Sequence, residues 1–119
     1  MGTAPSRDLQ SFKADFFKAL AHPLRIRILE VLRARERSVQ ELQALLDLDQ
    51  STVSQQLAVL RAKHIVTARK EGTTVRYAVH DALVGDLLDV ARRIFNNQLA
   101  GTQTMLRELR QEARRPGRR

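Results

Sequence analysis

The stretch from Ser38 to Arg61, SVQELQALLDLDQSTVSQQLAVLR, constrains the fold of this chain more than any other. It opens on a capping-box pattern. The Ser38 hydroxyl is placed to accept the third backbone N–H, and Glu41 to reach back to the cap. A short helix follows over 39–47, with Val39, Leu42, Leu45 and Leu46 expected to face inward. Asp47 to Asp49 leave room only for a tight turn. A second helix then begins near Gln50 or Ser51, where Val53, Leu57 and Leu60 fall at i, i+4 and i+7 and form one apolar face. Two helices joined this closely read as a helix-turn-helix.

The other face of the second helix is unusual in its chemistry. Its first two turns carry Ser51, Thr52, Ser54, Gln55 and Gln56. A surface helix chosen for stability would favour Glu, Lys and Ala at such positions. In a helix-turn-helix, the second helix enters the DNA major groove and its N-terminal residues meet base edges. Gln pairs with adenine N6 and N7, Ser and Thr bond bases or phosphates, and a Thr methyl touches thymine. Gln50, Ser51, Thr52, Ser54, Gln55 and Arg61 are therefore the expected DNA contacts on this helix. The plainer reading is a surface helix that is merely polar.

The flanking segments supply the rest of a small domain. Residues 1–6 read as a disordered leader. From Arg7, Leu9, Phe12, Phe16 and Leu20 make a helical stripe, which AHP interrupts. Pro23 suits the first turn of a new helix. Leu24, Ile28, Val31 and Leu32 carry that helix to about Arg35. Past the polar helix the period changes. Two strands, about 65–70 and 74–79 with Gly72 in the turn, read as a β-hairpin. Ile65, Val75, Tyr77 and Val79 would dock it on the core. Arg69, Lys70, Thr73 and Arg76 surround its turn, where cations can straddle a phosphate backbone. Asp81 is the expected cap of a last helix. Leu83, Leu87, Val90, Ile94 and Leu99 stripe that helix, Leu88 and Phe95 widen the stripe, and Gly101 is expected to kink or end it. Residues 111–119 read as a basic tail.

Charge points the same way. The net charge is +8 and the pI about 11.2, a balance that favours a polyanionic partner. The segment 50–76 carries Arg61, Lys63, Arg69, Lys70 and Arg76 against Glu71 alone. The absence of cysteine removes disulfides, thiolate metal sites and cysteine nucleophiles. No apolar run approaches the roughly 18 residues a membrane span needs, so a soluble, cytoplasmic protein with no membrane partner is expected. No Ser/His/Asp set, phosphate-binding glycine loop or metal-ligand cluster appears at informative spacing, so an enzyme is not expected.

The last helix carries more apolar surface than one small domain covers, and the first adds Phe12, Phe16 and Phe17. Apolar area of that extent implies a partner surface. A two-fold dimer would set two reading helices about 34 Å apart, one DNA turn.

FFKALAHPLRIRILEVL followed by SVQELQALLDLDQSTVSQQLAVLRAKHIVTARKEGTTVRYAV resembles the ArsR/SmtB family of bacterial winged-helix regulators over about residues 12–79. The resemblance implies a mainly α fold with a small β-hairpin, a winged helix-turn-helix in the order α-α-α-α-β-β-α. It also implies a homodimer built on the first and last helices, with Phe12, Phe16, Leu83, Leu87, Val90, Ile94 and Phe95 at the interface. Such a dimer binds an imperfect palindrome near a promoter, and many members are repressors released by a metal ion or another signal. The chain departs from the family in four places. Gln55 and Gln56 stand where a His pair is common, and Lys63 and His64 where Ala-Gly is frequent. The thiolate site near Glu41 to Leu45 has no Cys. Of the last-helix metal site only Asp81 is in place, with Leu83, Ile94 and Asn97 at the other positions. His80, Asp81 and Asp86 are the weak remaining metal candidates, suited to Ni or Zn. The expected function is sequence-specific transcriptional regulation as a DNA-bound homodimer, under the control of a metal or a sensor partner protein. The alternative is a winged-helix protein-interaction module with a basic tail.

Overall fold

The computed structural model describes residues 5–113. The elements are α1 (Pro5–Leu20), α2 (Pro23–Leu32), β1 (Arg37–Ser38), α3 (Val39–Leu46), α4 (Gln50–Ala62), β2 (Val66–Glu71), β3 (Thr74–Val79) and α5 (Leu83–Ala113). They fall into two compact units, one running to Gly85 and the other continuing α5 from Asp86.

Local chemistry sets the helix ends of the first unit. His22 caps α2, its Nδ1 accepting from the Leu24 N–H at 3.1 Å, and Pro23 takes the first turn. The capping box of α3 is complete. Ser38 Oγ accepts from the Glu41 N–H at 3.2 Å, and Glu41 Oε1 accepts from the Ser38 N–H at 2.9 Å. Asp47 ends α3 in the left-handed region at φ 55°, which Asp tolerates better than most residues. Two residues later Asp49 caps α4 by accepting from the Thr52 N–H at 2.8 Å. At the far end His64 has φ 60°. Its N–H donates to the Arg61 carbonyl at 3.0 Å, while Ile65 N–H reaches the Leu60 carbonyl at 2.9 Å. That is a Schellman stop with His where Gly is usual, and the buried Ile65 and Leu60 supply its apolar contact.

The sheet has three antiparallel strands in the order β1-β3-β2. Arg37 pairs with Tyr77 and Ser38 with Arg76. On the other side the register runs from Val66–Val79 to Glu71–Thr74. Gly72, at φ +63°, leads the two-residue turn, as a II′ hairpin requires. Ile28, Leu29, Leu42, Val53, Leu57, Leu60 and Val66 are the most deeply buried side chains. They bring α2, α3, α4 and β2 onto one core.

Several expectations need correction. Pro5 and Ser6 belong to α1 rather than to a leader, and residues 1–4 lie outside the described residues. α2 stops at Leu32 instead of about Arg35, and α3 at Leu46 instead of Asp47. The hairpin is a three-stranded sheet, because Arg37 and Ser38 add a short edge before α3 begins. Leu45 is 53% exposed, since Leu42 and Leu46 already fill the inward face of so short a helix. Asp81 does cap the last helix, accepting from the Leu83 N–H at 2.9 Å. Gly101 neither ends nor interrupts α5, where it sits exposed among helical neighbours. The helix runs through residues 111–113 of the expected tail; residues 114–119 lie outside the described residues. No helix among the described residues is long and apolar enough to cross a membrane.

Candidate nucleic-acid interface

α4 presents the two faces that its pattern implies. Val53, Leu57 and Leu60 are buried, while Gln50, Ser51, Ser54, Gln55 and Arg61 are exposed and Thr52 is half-buried. With 3.6 residues per turn, Ser51, Gln55, Ala58 and Ala62 form the crest opposite the core. Ser54 and Arg61 flank the crest on one side, Thr52 and Gln56 on the other. The crest therefore offers small side chains and one long amide, which allows a close approach to a groove floor. The Asp49 carboxylate is held below its ordinary range by hydrogen bonds from the Thr52 side chain and amide. That keeps the cap charged at the start of the helix.

Two arginines of α2, not singled out in the sequence, position both helices of the motif. Arg27 donates to the Leu46 carbonyl at 2.9 Å, satisfying an end group of α3. Arg25 donates through Nε to the Ala19 carbonyl at 2.6 Å and through Nη1 to Gln56 Oε1 at 2.9 Å. It thereby ties the end of α1 to α4 and turns Gln56 away from the crest. Gln55 and Gln56, adjacent and alike in sequence, have different work. The only sequence signal for this is that Gln56 lies one helical step nearer the buried face.

The wing differs from the expectation of freely available cations. Arg69 is hydrogen-bonded to Glu36 and lies 3.5 Å from Glu71. Arg76 donates to Glu71 at 2.7 Å and to Glu41 at 3.2 Å, and its side chain is only 27% exposed on the middle strand. Arg35 stands 3.8 Å from Glu41. The hydrogen bond from Arg76 is the main cause holding the Glu71 carboxyl below its ordinary range. Glu41 is lowered first by the Ser38 backbone and then by Arg76 and its neighbours. Arg69 and Arg76 are raised in turn by Glu36 and Glu71. Both arginines thus brace the wing in this structure, because Glu36, Glu41 and Glu71 lie within reach. Lys70 and Thr73 remain exposed at the turn, and Arg61 makes no ion pair among the described residues.

Between α4 and β3 lies a cleft of about 350 Å³ lined by Ser54, Leu57, Ala58, Arg61, Ala62 and Tyr77. Arg37 is registered against Tyr77. Its Nε is the buried side-chain donor without a partner among the described residues.

The expected dimer residues are displayed as a partner surface requires. Phe12 is 73% and Leu83 67% exposed; Val90, Ile94 and Phe95 are exposed as well. Phe16 and Leu87 are half-buried, Phe16 packing edge-on against Phe17 with ring centroids 5.4 Å apart. The metal candidates do not converge. Asp81 spends a carboxylate oxygen on the helix cap, and His80 and Asp86 are exposed. No three His, Cys, Asp or Glu side chains among the described residues come together as a metal site.

Comparison with known proteins agrees with this geometry. Residues 22–68 match the family model described as bacterial regulatory protein, arsR family. The uncharacterized HTH-type transcriptional regulator Rv0081 of Mycobacterium tuberculosis is 44% identical over 106 residues, covering 88% of this chain and 93% of that protein. Its crystal structure superposes with a TM-score of 0.73 over 84% of this chain and 98% of that one. A homodimeric winged helix-turn-helix DNA-binding domain, Mb0332 of Mycobacterium bovis, gives a TM-score of 0.75 at 28% identity, over 82% of this chain and 91% of that one. The biofilm growth-associated repressor of Agrobacterium fabrum is 40% identical over 82 residues, 69% of this chain and 70% of its own length. The helix-turn-helix, its wing and these matches agree: the chain belongs to the ArsR/SmtB family of winged helix-turn-helix transcriptional regulators.

Proposed function

We propose that this chain binds a palindromic promoter site as a homodimer, reading sequence with the exposed face of α4. One observation carries the reading. Ser51, Ser54 and Gln55 stand exposed directly behind a fully buried Val53/Leu57/Leu60 face, so an uncharged hydrogen-bonding surface is held on a rigid support. A helix serving only to cover the core has no need of that surface. Lys70 and Arg61 supply cations beside it, and phosphate contacts of this kind position a protein while base contacts specify sequence. The homodimeric state of Mb0332 and the exposed apolar residues of α1 and α5 support assembly in pairs.

The donor set does not support control by a metal bound within one chain. Among the described residues of one chain, His80 and Asp81 gain no third ligand, and Asp81 already accepts from the Leu83 N–H. Control by a metal held between two protomers or by a sensor partner protein is part of this proposal.

In vitro selection from a random duplex library tests the reading. The expected result is an enriched sequence with two-fold symmetry and half-sites about one DNA turn apart. A library that stays unenriched refutes it and leaves the protein-interaction module as the better description.

A further inference from the structure

The cleft between α4 and β3 shares Ser54, Ala58 and Ala62 with the exposed side of α4 and carries that surface on toward the sheet. Its floor is apolar, from Leu57, Ala58 and Ala62, and its polar groups are Ser54 and Arg61 on one wall and Tyr77 on the other. Ser54 and Arg61 share one flank of α4, two helical turns apart, so both aim along the same edge. Among the described residues Arg61 has no acidic partner, unlike the wing arginines. Side chains of directly paired residues in an antiparallel ladder lie on the same face. Arg37 therefore stands on the Tyr77 face of the sheet and adds positive charge there. Two hydroxyls and a guanidinium around an apolar floor suit a phosphodiester with its sugar resting on the carbons.

We infer that this cleft seats one phosphate of the DNA backbone, held by Ser54 and Arg61 from α4 and by the Tyr77 hydroxyl from the sheet. The inference rests on the DNA-binding reading above and adds a residue to it. A strand whose bases are read by α4 and whose next groove meets the wing must pass its backbone between the two. The cleft is the gap between those elements. Both its walls are anchored, α4 by Val53, Leu57 and Leu60 and the sheet by Val66. A phosphate gripped from both sides would set the depth to which α4 enters the groove. Tyr77 is then a positioning contact with no part in base choice.

The test uses the full chain and a duplex obtained by in vitro selection with it. Tyr77→Phe keeps the ring and removes only the hydroxyl. A hydrogen bond to a charged group is worth roughly tenfold in affinity or more. Tyr77→Phe removes one such bond in each protomer and should therefore bind about 100-fold more weakly as a dimer, equally for selected and unselected duplexes, with the salt slope unchanged. Arg61→Gln should weaken binding and flatten the slope of log K against log salt by about 1.8, one phosphate contact being lost in each protomer. Single methylphosphonate replacements along the backbone then locate the contact. At one position per half-site the wild type should lose affinity, and there the Tyr77→Phe penalty should fall by about tenfold, the share of that half-site. If Tyr77→Phe binds like the wild type, or keeps its full penalty on every methylphosphonate duplex, the inference fails while the DNA-binding reading stands. If the wild type enriches no duplex, both fall. Unchanged thermal unfolding of Tyr77→Phe excludes a folding defect as the source of lost binding.

Discussion

Truncating Leu57 to Ala separates the support of α4 from its reading face. Leu57 is 1% exposed and sits between Val53 and Leu60, which are equally buried. The mutation removes buried carbons and leaves a cavity among side chains that cannot readily collapse into it. Leu→Ala changes at such sites cost about 2.7–5 kcal/mol. A domain of this size holds roughly 5–15 kcal/mol in total, so the variant stays mostly folded at room temperature but loses a large share of its stability. Each kcal/mol moves the melting temperature by several degrees, so a drop of about 10 °C or more is expected. Circular dichroism melts at a fixed protomer concentration would show it; the concentration matters because assembly contributes to apparent stability. Gln55→Ala, one crest position away, should melt within about 1–2 °C of the wild type, because exposed changes usually stay within about 0.5 kcal/mol. At low temperature the folded Leu57→Ala protein should keep the wild-type order of preference among DNA sequences. A loss below about 1 kcal/mol would refute the reasoning, since α4 would then not be anchored by this face.

Three further outcomes follow from the ion pairs and the exposed apolar face. Glu71→Gln removes a partner shared by Arg69 and Arg76, so affinity for all duplexes should rise and the salt dependence steepen; filter binding across a salt series reads both. Glu41 and Glu71 have carboxyls lowered from an ordinary 4.5 in the folded state. Their stabilising effect is therefore complete above about that pH and is lost as the pH falls through their lowered folded-state values. Thermal melts from neutral to acid pH should show the decline, and it should be shallower in Glu71→Gln. Ile94→Glu places a charge among the exposed apolar residues of α5, and sedimentation should report a shift from dimer toward monomer without loss of helix content.

What could be read from the sequence depended on how far each signal repeats. The buried face of α4 recurs three times at helical spacing, and the capping box needs only two residues at a fixed offset. Both therefore stood out in the sequence. β1 has two residues, too few to show a period, and one of them doubles as the cap of α3. Gly101 carries a local penalty of about 1 kcal/mol against Ala in a helix. A helix already formed on both sides of it absorbs that penalty. The site divides in the same way. Exposure of Ser51, Ser54 and Gln55 follows from the helical period. The pairing of Arg69 with Glu36, 33 positions away, and of Arg25 with Gln56, 31 away, depends on the tertiary fold. No local pattern marks such pairs. For that reason the wing arginines read as free cations in sequence and are braced in the structure.

The most direct test of α4 as the reading element is a base-preference profile of Gln55→Ala beside the wild type. Competition binding would use single base-pair variants of the selected duplex. A bidentate amide–adenine pair is worth about 1–3 kcal/mol of discrimination, roughly five- to 150-fold. Gln55→Ala should lose that preference at one base pair in each half-site and keep the others, with thermal stability intact. A profile identical to the wild type at every position would mean that Gln55 reads no base, and that α4 does not discriminate sequence in the manner its exposed face implies.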